Sequence, residues 1–504
     1  MLSSDKHSGS TKVFVTLGSR VVTALVGIIF VPIYIRFIGA ESYGLVAFYS
    51  TMVASLSILD FGLSTAISRQ IAVLRVKTGN EKSIINLIYS VEIVYWLIAL
   101  SLGAMIVLLA YPIAVYWVNA KDLSVTTIEH AVMLMGAVFA FQFPISIYNG
   151  VMIGLEKQVP NAVMTVLFTI AKNAGVILIL WLVGPTIENF FIWQTLITII
   201  FTGFLRAYIW NKLKFLNLRA VFSREELKTI WRFAAGMTGI SVITFFIMQI
   251  DKIVVSKMVL LEYVGYYNLA FLLSGFINQI ISPIQPVIFP KFSRLVAENK
   301  KDELVSLYHK CCKWISIVVF PIGFILIFFA EEILMVWTHN PVLTYHTAPI
   351  LRVCAIGTVC NCLTWMPYFY LLAHGITRYT IIQNIIASII LVPLLFWWSN
   401  EYGALGASFV WLTVNAGYVL ITIPIFHHMY LRGEFWKWLK NDIAAPLLTA
   451  GILAFGAWYF LRYVYPHFSL IYFGLLLFLI TIIYALVIPE IRNYGWSKIF
   501  KKSV

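Results

Sequence analysis

The stretch RAYIWNKLKFLNLRAVFSREELKTIWR, residues 206–232, decides how the rest of the chain is read. It carries seven Lys/Arg (Arg206, Lys212, Lys214, Arg219, Arg224, Lys228, Arg232) between long apolar runs. Unpaired charge in hydrocarbon is costly, so a segment this basic is expected outside the bilayer. It reads as a cytoplasmic linker, partly an amphipathic helix on the membrane surface, joining two membrane-embedded lobes. An ordinary long loop is the plainer reading, and it leads to the same topology because short basic loops stay in the cytoplasm.

Working outward, the composition is that of a membrane protein. The chain of 504 residues is 61% hydrophobic and 12% charged, with a mean hydropathy of +0.88. Soluble domains are about 25% charged. The net charge of +14 would suit nucleic acid if it were spread over one face. Here the cations sit in short clusters between apolar runs, which fits no nucleic-acid partner. The five cysteines are Cys311, Cys312, Cys354, Cys360 and Cys362. None has metal-ligand spacing with His, so all five read as small, buried, reduced side chains. The N-terminus, MLSSDKHSGSTK, runs into a full-length span with no cleavage-like site behind it, as expected of an uncleaved first span.

Fourteen spans are expected, near 13–35, 44–66, 84–110, 128–152, 160–182, 187–209, 233–256, 263–290, 311–330, 347–373, 379–398, 404–426, 442–461 and 469–488. None shows the period-two alternation of barrel strands, so the fold class is an all-α integral membrane protein. With the N-terminus inside, 28 of the 36 Lys/Arg fall in cytoplasmic segments. Only Arg36, Lys121, Lys257 and Arg462 fall in outward loops, and Arg20, Lys172, Lys252 and Arg352 fall within spans. That bias places both termini in the cytoplasm.

The expected organisation is an N-terminal lobe at 1–211 (spans 1–6) and a basic linker at 212–232. A C-terminal lobe at 233–427 (spans 7–12) follows, then 428–504 with spans 13 and 14 and a cytoplasmic tail. A weak internal repeat supports two lobes. Aligning RFIGAESYG (36–44) with KMVLLEYVG (257–265) matches Arg36 with Lys257, Glu41 with Glu262 and Gly44 with Gly265. Each set lies at the outer turn between the first two spans of its half, and six-span repeats are a transporter architecture.

Polar residues inside the spans carry the functional signal. Thr16, Arg20, Thr23 and Gly27 share one helical face of span 1. At 1.5 Å per residue, Arg20 lies roughly 10 Å in from the cytoplasmic end, Asp60 about 9 Å, Glu92 about 12 Å and Lys172 about 18 Å. Two readings stand together. Arg20 and Asp60 form a structural ion pair, since charges in spans pair with one another. Alternatively, a water-filled cavity holds an anionic group on Arg20 and Lys172, with Asp60 or Glu92 taking a coupling proton or sodium ion; of these, Glu92 is the better coupling candidate. In the second lobe, Asn268, Gly275, Asn278, Ser282 and Gln285 form an amide-rich stripe on span 8. It suits a hydroxyl-rich ligand such as a sugar, or helix–helix contact. Pro283, Pro286 and Pro290 are expected to break that helix near its cytoplasmic end. Asp251 is expected to pair near Lys252 or with Arg352.

No GxxxxGK[ST] or HExxH occurs, so neither an ATPase motif nor a metal or other cofactor site is read from the sequence. The outward loops are short. Glu331–Pro349, with Glu331, Glu332, His339 and His346, is the nearest to an enzymatic cluster.

The opening GSRVVTALVGIIFVPIYIRFIGAESYGLVAFYS (18–50), followed by LDFGLSTAISRQIA (59–72), resembles the bacterial polysaccharide-biosynthesis flippases. These are O-antigen-type lipid-linked oligosaccharide translocases of the multidrug/oligosaccharidyl-lipid/polysaccharide exporter superfamily. QIDKIVV (249–255) and YGALGAS (402–408) are similar to the same family. The resemblance implies two six-helix lobes around a central cavity, with two extra C-terminal helices, and alternating access rather than catalysis. It implies an undecaprenyl-diphosphate-linked oligosaccharide as cargo and a bacterial inner-membrane location. It also implies a polysaccharide polymerase as partner, and cationic cavity residues for the diphosphate, a role carried over to Arg20 and Lys172 only. A cation-coupled multidrug exporter of the same superfamily is the alternative, disfavoured by basic cavity residues. A membrane-embedded glycan polymerase or acyltransferase is disfavoured by the short outward loops.

Overall fold

The structure, a computed structural model, describes residues 9–60, 62–76, 80–214, 218–228, 230 and 249–464. Described residues form helices joined by turns and short irregular segments, with no strand among them. Ten stretches among them are long and apolar enough to cross a membrane. Two of these, Val21–Asp60 and Arg378–Tyr430, each take in two of the expected spans, so the ten account for twelve of the fourteen. Spans 7 and 14 lie mostly outside the described residues.

The chain divides into two compact units, Met1–Gly265 and Tyr266–Val504. In the first, α1 (Gly9–Leu56) is broken at Gly39, whose φ of +81° is a conformation that L side chains rarely adopt. A 3-10 turn, Ser57–Asp60, ends span 2 early, and Gly62 leads into α2 (Leu63–Val76). There follow α3 (Glu81–Leu108), α4 (Val125–Gly154), α5 (Gln158–Leu182) and α6 (Ile187–Lys214). Ser124 caps α4, accepting from the Thr127 N–H at 3.1 Å. Helix α4 is central, packed against α2, α3 and α6, while α1 packs on α5. Small residues permit the close approach: a Cβ at Gly150 or Gly154 would run into the carbonyls of Ser64 or Ser68 on α2.

The two glycines aligned in the sequence repeat face one another in this unit. A Cβ on Gly265 would sit 3.4 Å from the Gly44 nitrogen, and one on Gly44 would overlap the Leu261 carbonyl. The Glu41 carboxylate accepts from the backbone N–H groups of Lys121 and Asp122, tying the same turn to the loop before α4.

The basic stretch is not all linker. Helix α6 runs on through Arg206 to Lys214, because Ile209 and Leu213 continue its buried face. Residues 218–223 have no regular secondary structure, and 224–228 form one helical turn. The irregular part is docked on α3: the Val221 N–H donates to Asn86 Oδ1 at 2.9 Å, and that of Ser223 to Ser90 Oγ at 2.8 Å.

Helix α7 (Leu261–Ile281) leads into the second unit and stops where its prolines begin. A 3-10 turn, Ser282–Ile284, and α8 (Gln285–Ala297) follow, as expected from chain stiffness at proline. Then come α9 (Lys301–Phe328), α10 (Ala330–Thr338), α11 (Pro341–Leu363), α12 (Trp365–Ala373), α13 (Arg378–Gly417), α14 (Ile423–Tyr430) and α15 (Ala445–Tyr459). The segment Glu331–Pro349 is therefore helical through most of its length. Asn340 caps α11 with Pro341 at its first position. Helix α13 is broken at Gly403 (φ +59°), within the YGALGAS motif, and a Cβ at Gly406 would overlap the Trp398 carbonyl. Helix α11 packs between α9 and α13, and α9 packs on α15. The five cysteines are free thiols, four buried and Cys360 half-buried.

Candidate functional site

Three polar clusters lie among the apolar helices of the first unit. The first is built on Glu92 of α3, 4% exposed. Its Oε1 accepts from Arg206 Nε of α6 at 2.6 Å and from the Tyr148 hydroxyl of α4 at 2.7 Å. Its Oε2 accepts from Trp210 Nε1 at 2.9 Å, and Trp96 Nε1 donates onward to the Tyr148 oxygen at 3.1 Å. A buried carboxylate needs such compensation, and here two helices supply it. Arg206 had read as a linker residue. One turn apart on a helix, Arg206 and Trp210 put two donors on one face, which is the pattern that could have revealed the partner of Glu92.

The second cluster is built on Asp60, in the turn between α1 and α2. The Tyr95 hydroxyl donates to it, as do Ser64 Oγ at 2.8 Å and Ser146 Oγ at 3.1 Å. The Ser64 N–H, at 3.4 Å, donates to the same carboxylate, which thereby satisfies a donor in the first turn of α2. The expected Arg20–Asp60 pair cannot be described, because the Arg20 side chain lies outside the described residues.

The third is Lys172 of α5, half-buried. Its Nζ lies 3.5 Å from Gln142 Oε1 and 5.8 Å from the centre of the Phe168 ring. Tyr49 donates to the same Gln142 oxygen at 2.8 Å, so that oxygen faces two donors. Among the described residues, no carboxylate lies within ion-pairing distance of Lys172.

The structure therefore keeps the first-lobe candidates apart: Glu92 is ion-paired, Asp60 is held by hydroxyls, and Lys172 has neutral neighbours. In the second unit, Asn278 Oδ1 accepts from Cys362 Sγ at 3.2 Å, which joins α7 to α11. Asn268 is half-buried, and Gln285 is exposed at the start of α8, so the amide stripe runs across a helix break. Behind it, Asn361 donates to Asn415 Oδ1 at 2.8 Å. Arg352 donates to Glu331 at 2.8 Å and to the Ile327 carbonyl at 3.2 Å. That partner lies in the first turn of α10.

Residues 10–296, more than half of the chain, match the family described as polysaccharide biosynthesis protein. The succinoglycan biosynthesis transport protein ExoT of Rhizobium meliloti is 22% identical over 448 residues, 84% of this chain and 82% of that protein. A candidate O-antigen transporter of Shigella flexneri is 22% identical over 385 residues, 75% of this chain and 87% of its own. In fold, the chain is similar to the lipid II flippase MurJ in an inward closed conformation, with a TM-score of 0.70, 14% identity, and 98% and 100% of the two chains covered. The same fold recurs in an inward-facing multidrug resistance MATE family transporter of the MOP superfamily, with a TM-score of 0.62, 16% identity, and 85% and 99% covered. Apolar spans, glycine-broken helices and the family match over 10–296 agree, and the chain belongs to the polysaccharide biosynthesis protein family.

Proposed function

We propose that this protein is a flippase. It moves an undecaprenyl-diphosphate-linked oligosaccharide, an O-antigen unit or a similar polysaccharide repeat, from the cytoplasmic to the outer leaflet. It works by alternating access in a bacterial inner membrane with both termini in the cytoplasm, and no bond is made or broken. A diphosphate carrying several sugars cannot cross about 30 Å of hydrocarbon unaided, so a route must offer the anion a cation and the sugars polar walls. The observation that carries this reading is Lys172, a cation near mid-span whose neighbours Gln142 and Phe168 are neutral. Together with Arg20, it is assigned to the diphosphate, while Asn268, Asn278 and Gln285 are assigned to the sugars. Family membership and the relatives' names as transporters support the same reading. A polysaccharide polymerase on the outer side is the partner that would use the product.

Coupling by a proton or sodium ion would fall to Glu92 or Asp60. The likeness to a multidrug transporter favours a second reading, export of cationic drugs coupled to a cation. Drug cations would need an uncommitted carboxylate; Glu92 is already neutralised by Arg206, which leaves that role to Asp60.

Deleting the gene should cause a lipid-linked glycan to accumulate on the inner leaflet. Unchanged surface glycan, with no accumulating intermediate, would overturn the reading. Orientation has its own test: cysteines at Lys121, Asn400 and His467 should react with an impermeant reagent from outside. Those at Lys214, Lys300 and Lys437 should not.

A further inference from the structure

A cavity of about 530 Å³ opens in the second unit, between the first turns of α9 and the turn that follows α14. Its walls include Lys301, Ser306, His309, Tyr430, Arg432 and Glu434. The inner wall is a compact charge cluster. His309 Nδ1 lies 2.5 Å from Asp442 Oδ2, and Nε2 lies 3.1 Å from Glu434 Oε2. A carboxylate on each ring nitrogen is the geometry that a doubly protonated imidazole satisfies on both sides. Lys437 adds a contact to Glu434 Oε1 at 2.9 Å. With His309 protonated, it and Lys437 balance the two anions, Glu434 and Asp442, and that wall is locally neutral.

Lys301 and Arg432 are left over. They come from different elements, line the same cavity, and have no ion pair among the described residues. Asp302 is the one remaining acid on the wall, so the surplus charge is positive. Beside the cavity, Trp436 is 64% exposed and Met429 is 52% exposed. An exposed Trp next to basic residues marks headgroup depth at a membrane interface.

We propose that this cavity is a phosphate-binding site, separate from the transport residues of the first unit. The Arg432 fork suits two phosphate oxygens at once, and Lys301 supplies a point charge. The Ser306 and Tyr430 hydroxyls can donate to the remaining oxygens. The phosphate belongs either to an anionic phospholipid headgroup or to a free solute in the cytoplasm. Basic pockets at this depth are suited to lipid phosphates.

The test uses the full chain, purified in detergent. Phosphatidylglycerol and phosphatidylcholine with the same acyl chains are titrated and counted by native mass spectrometry. Pyrophosphate is titrated separately by thermal shift. The cavity variant is Lys301→Gln with Arg432→Gln, and the charge-matched control is Lys291→Gln with Lys440→Gln, residues outside the cavity. Either probe should lose about tenfold in affinity in the cavity variant and not in the control. Loss for phosphatidylglycerol alone names a lipid, and loss for pyrophosphate alone names a free phosphate. Equal binding by native and cavity-variant chains, or equal loss in the control, overturns the site. If the double variant does not purify, the two single substitutions are read instead, with the same criterion.

Discussion

Arg206 Nε and Glu92 Oε1 lie 2.6 Å apart, joining residues 114 positions distant in the chain. The carboxylate is buried while the guanidinium is half-exposed. Removing Arg206 strands the charge, whereas Glu92→Gln leaves a neutral amide whose one carbonyl oxygen accepts from Tyr148 or from Trp210. Arg206→Ala should therefore lower the melting temperature more than Glu92→Gln does. The double-mutant cycle should give a coupling of roughly 0.5–3 kcal/mol. A coupling of zero would mean that the two side chains stabilise the protein independently.

Lys172 offers a cation without a carboxylate partner among the described residues. Loss of one charge-assisted contact, worth about 1.5–3 kcal/mol, predicts a fall of roughly ten- to a hundredfold in apparent cargo affinity for Lys172→Ala. Lys172→Arg should keep part of the activity, since charge survives while geometry changes. Export at the native rate in Lys172→Ala would remove this residue from the cargo path.

Asp60 is surrounded by donors: two serine hydroxyls, the Tyr95 hydroxyl and a backbone N–H. Asp60→Asn would turn an amide NH₂ toward some of them. It should destabilise the protein by about 1–3 kcal/mol, with Tyr95→Phe costing less. If Asp60→Asn instead folds normally and loses only its dependence on an ion gradient, Asp60 is the coupling residue.

Gly44 meets the Leu261 backbone, which cannot swing aside as a side chain can. Gly44→Ala should destabilise by about 1–3 kcal/mol, the range for an overpacked site. Gly27→Ala, where no atom lies within 4 Å of the added methyl, should be near neutral. Equal melting temperatures for the two variants would contradict the close approach.

Glu434 sits outside the spans. The Lys437 ammonium, and then the His309 ring, hold its carboxyl below the ordinary carboxylate range. A carboxylate depressed in the folded state stabilises above its unfolded pKa, about 4.3. That contribution disappears as pH falls through the folded value. The melting-temperature difference between the native chain and Glu434→Gln should thus be greatest near neutral pH and vanish in acid. A difference that does not change with pH would show that the carboxylate charge contributes nothing.

Class, span positions and the break after Ile281 were legible in the residues alone, because each depends on local quantities. Transfer free energy sums over a window of about 20 residues, and proline stiffness acts on its own turn. The paired glycines, Gly44 and Gly265, were also visible as a repeat, though not as a contact. Partners were another matter. Depth along a span placed Asp60 and Glu92 at the same level, but depth says nothing of rotation about the helix axis. Rotation decided that Glu92 meets Arg206 and Trp210, that Asp60 meets Tyr95, and that Lys172 meets Gln142. It is set by how small residues such as Gly150 and Gly154 let neighbouring helices settle against α4. That packing is a property of several helices together, so only the folded chain could choose it.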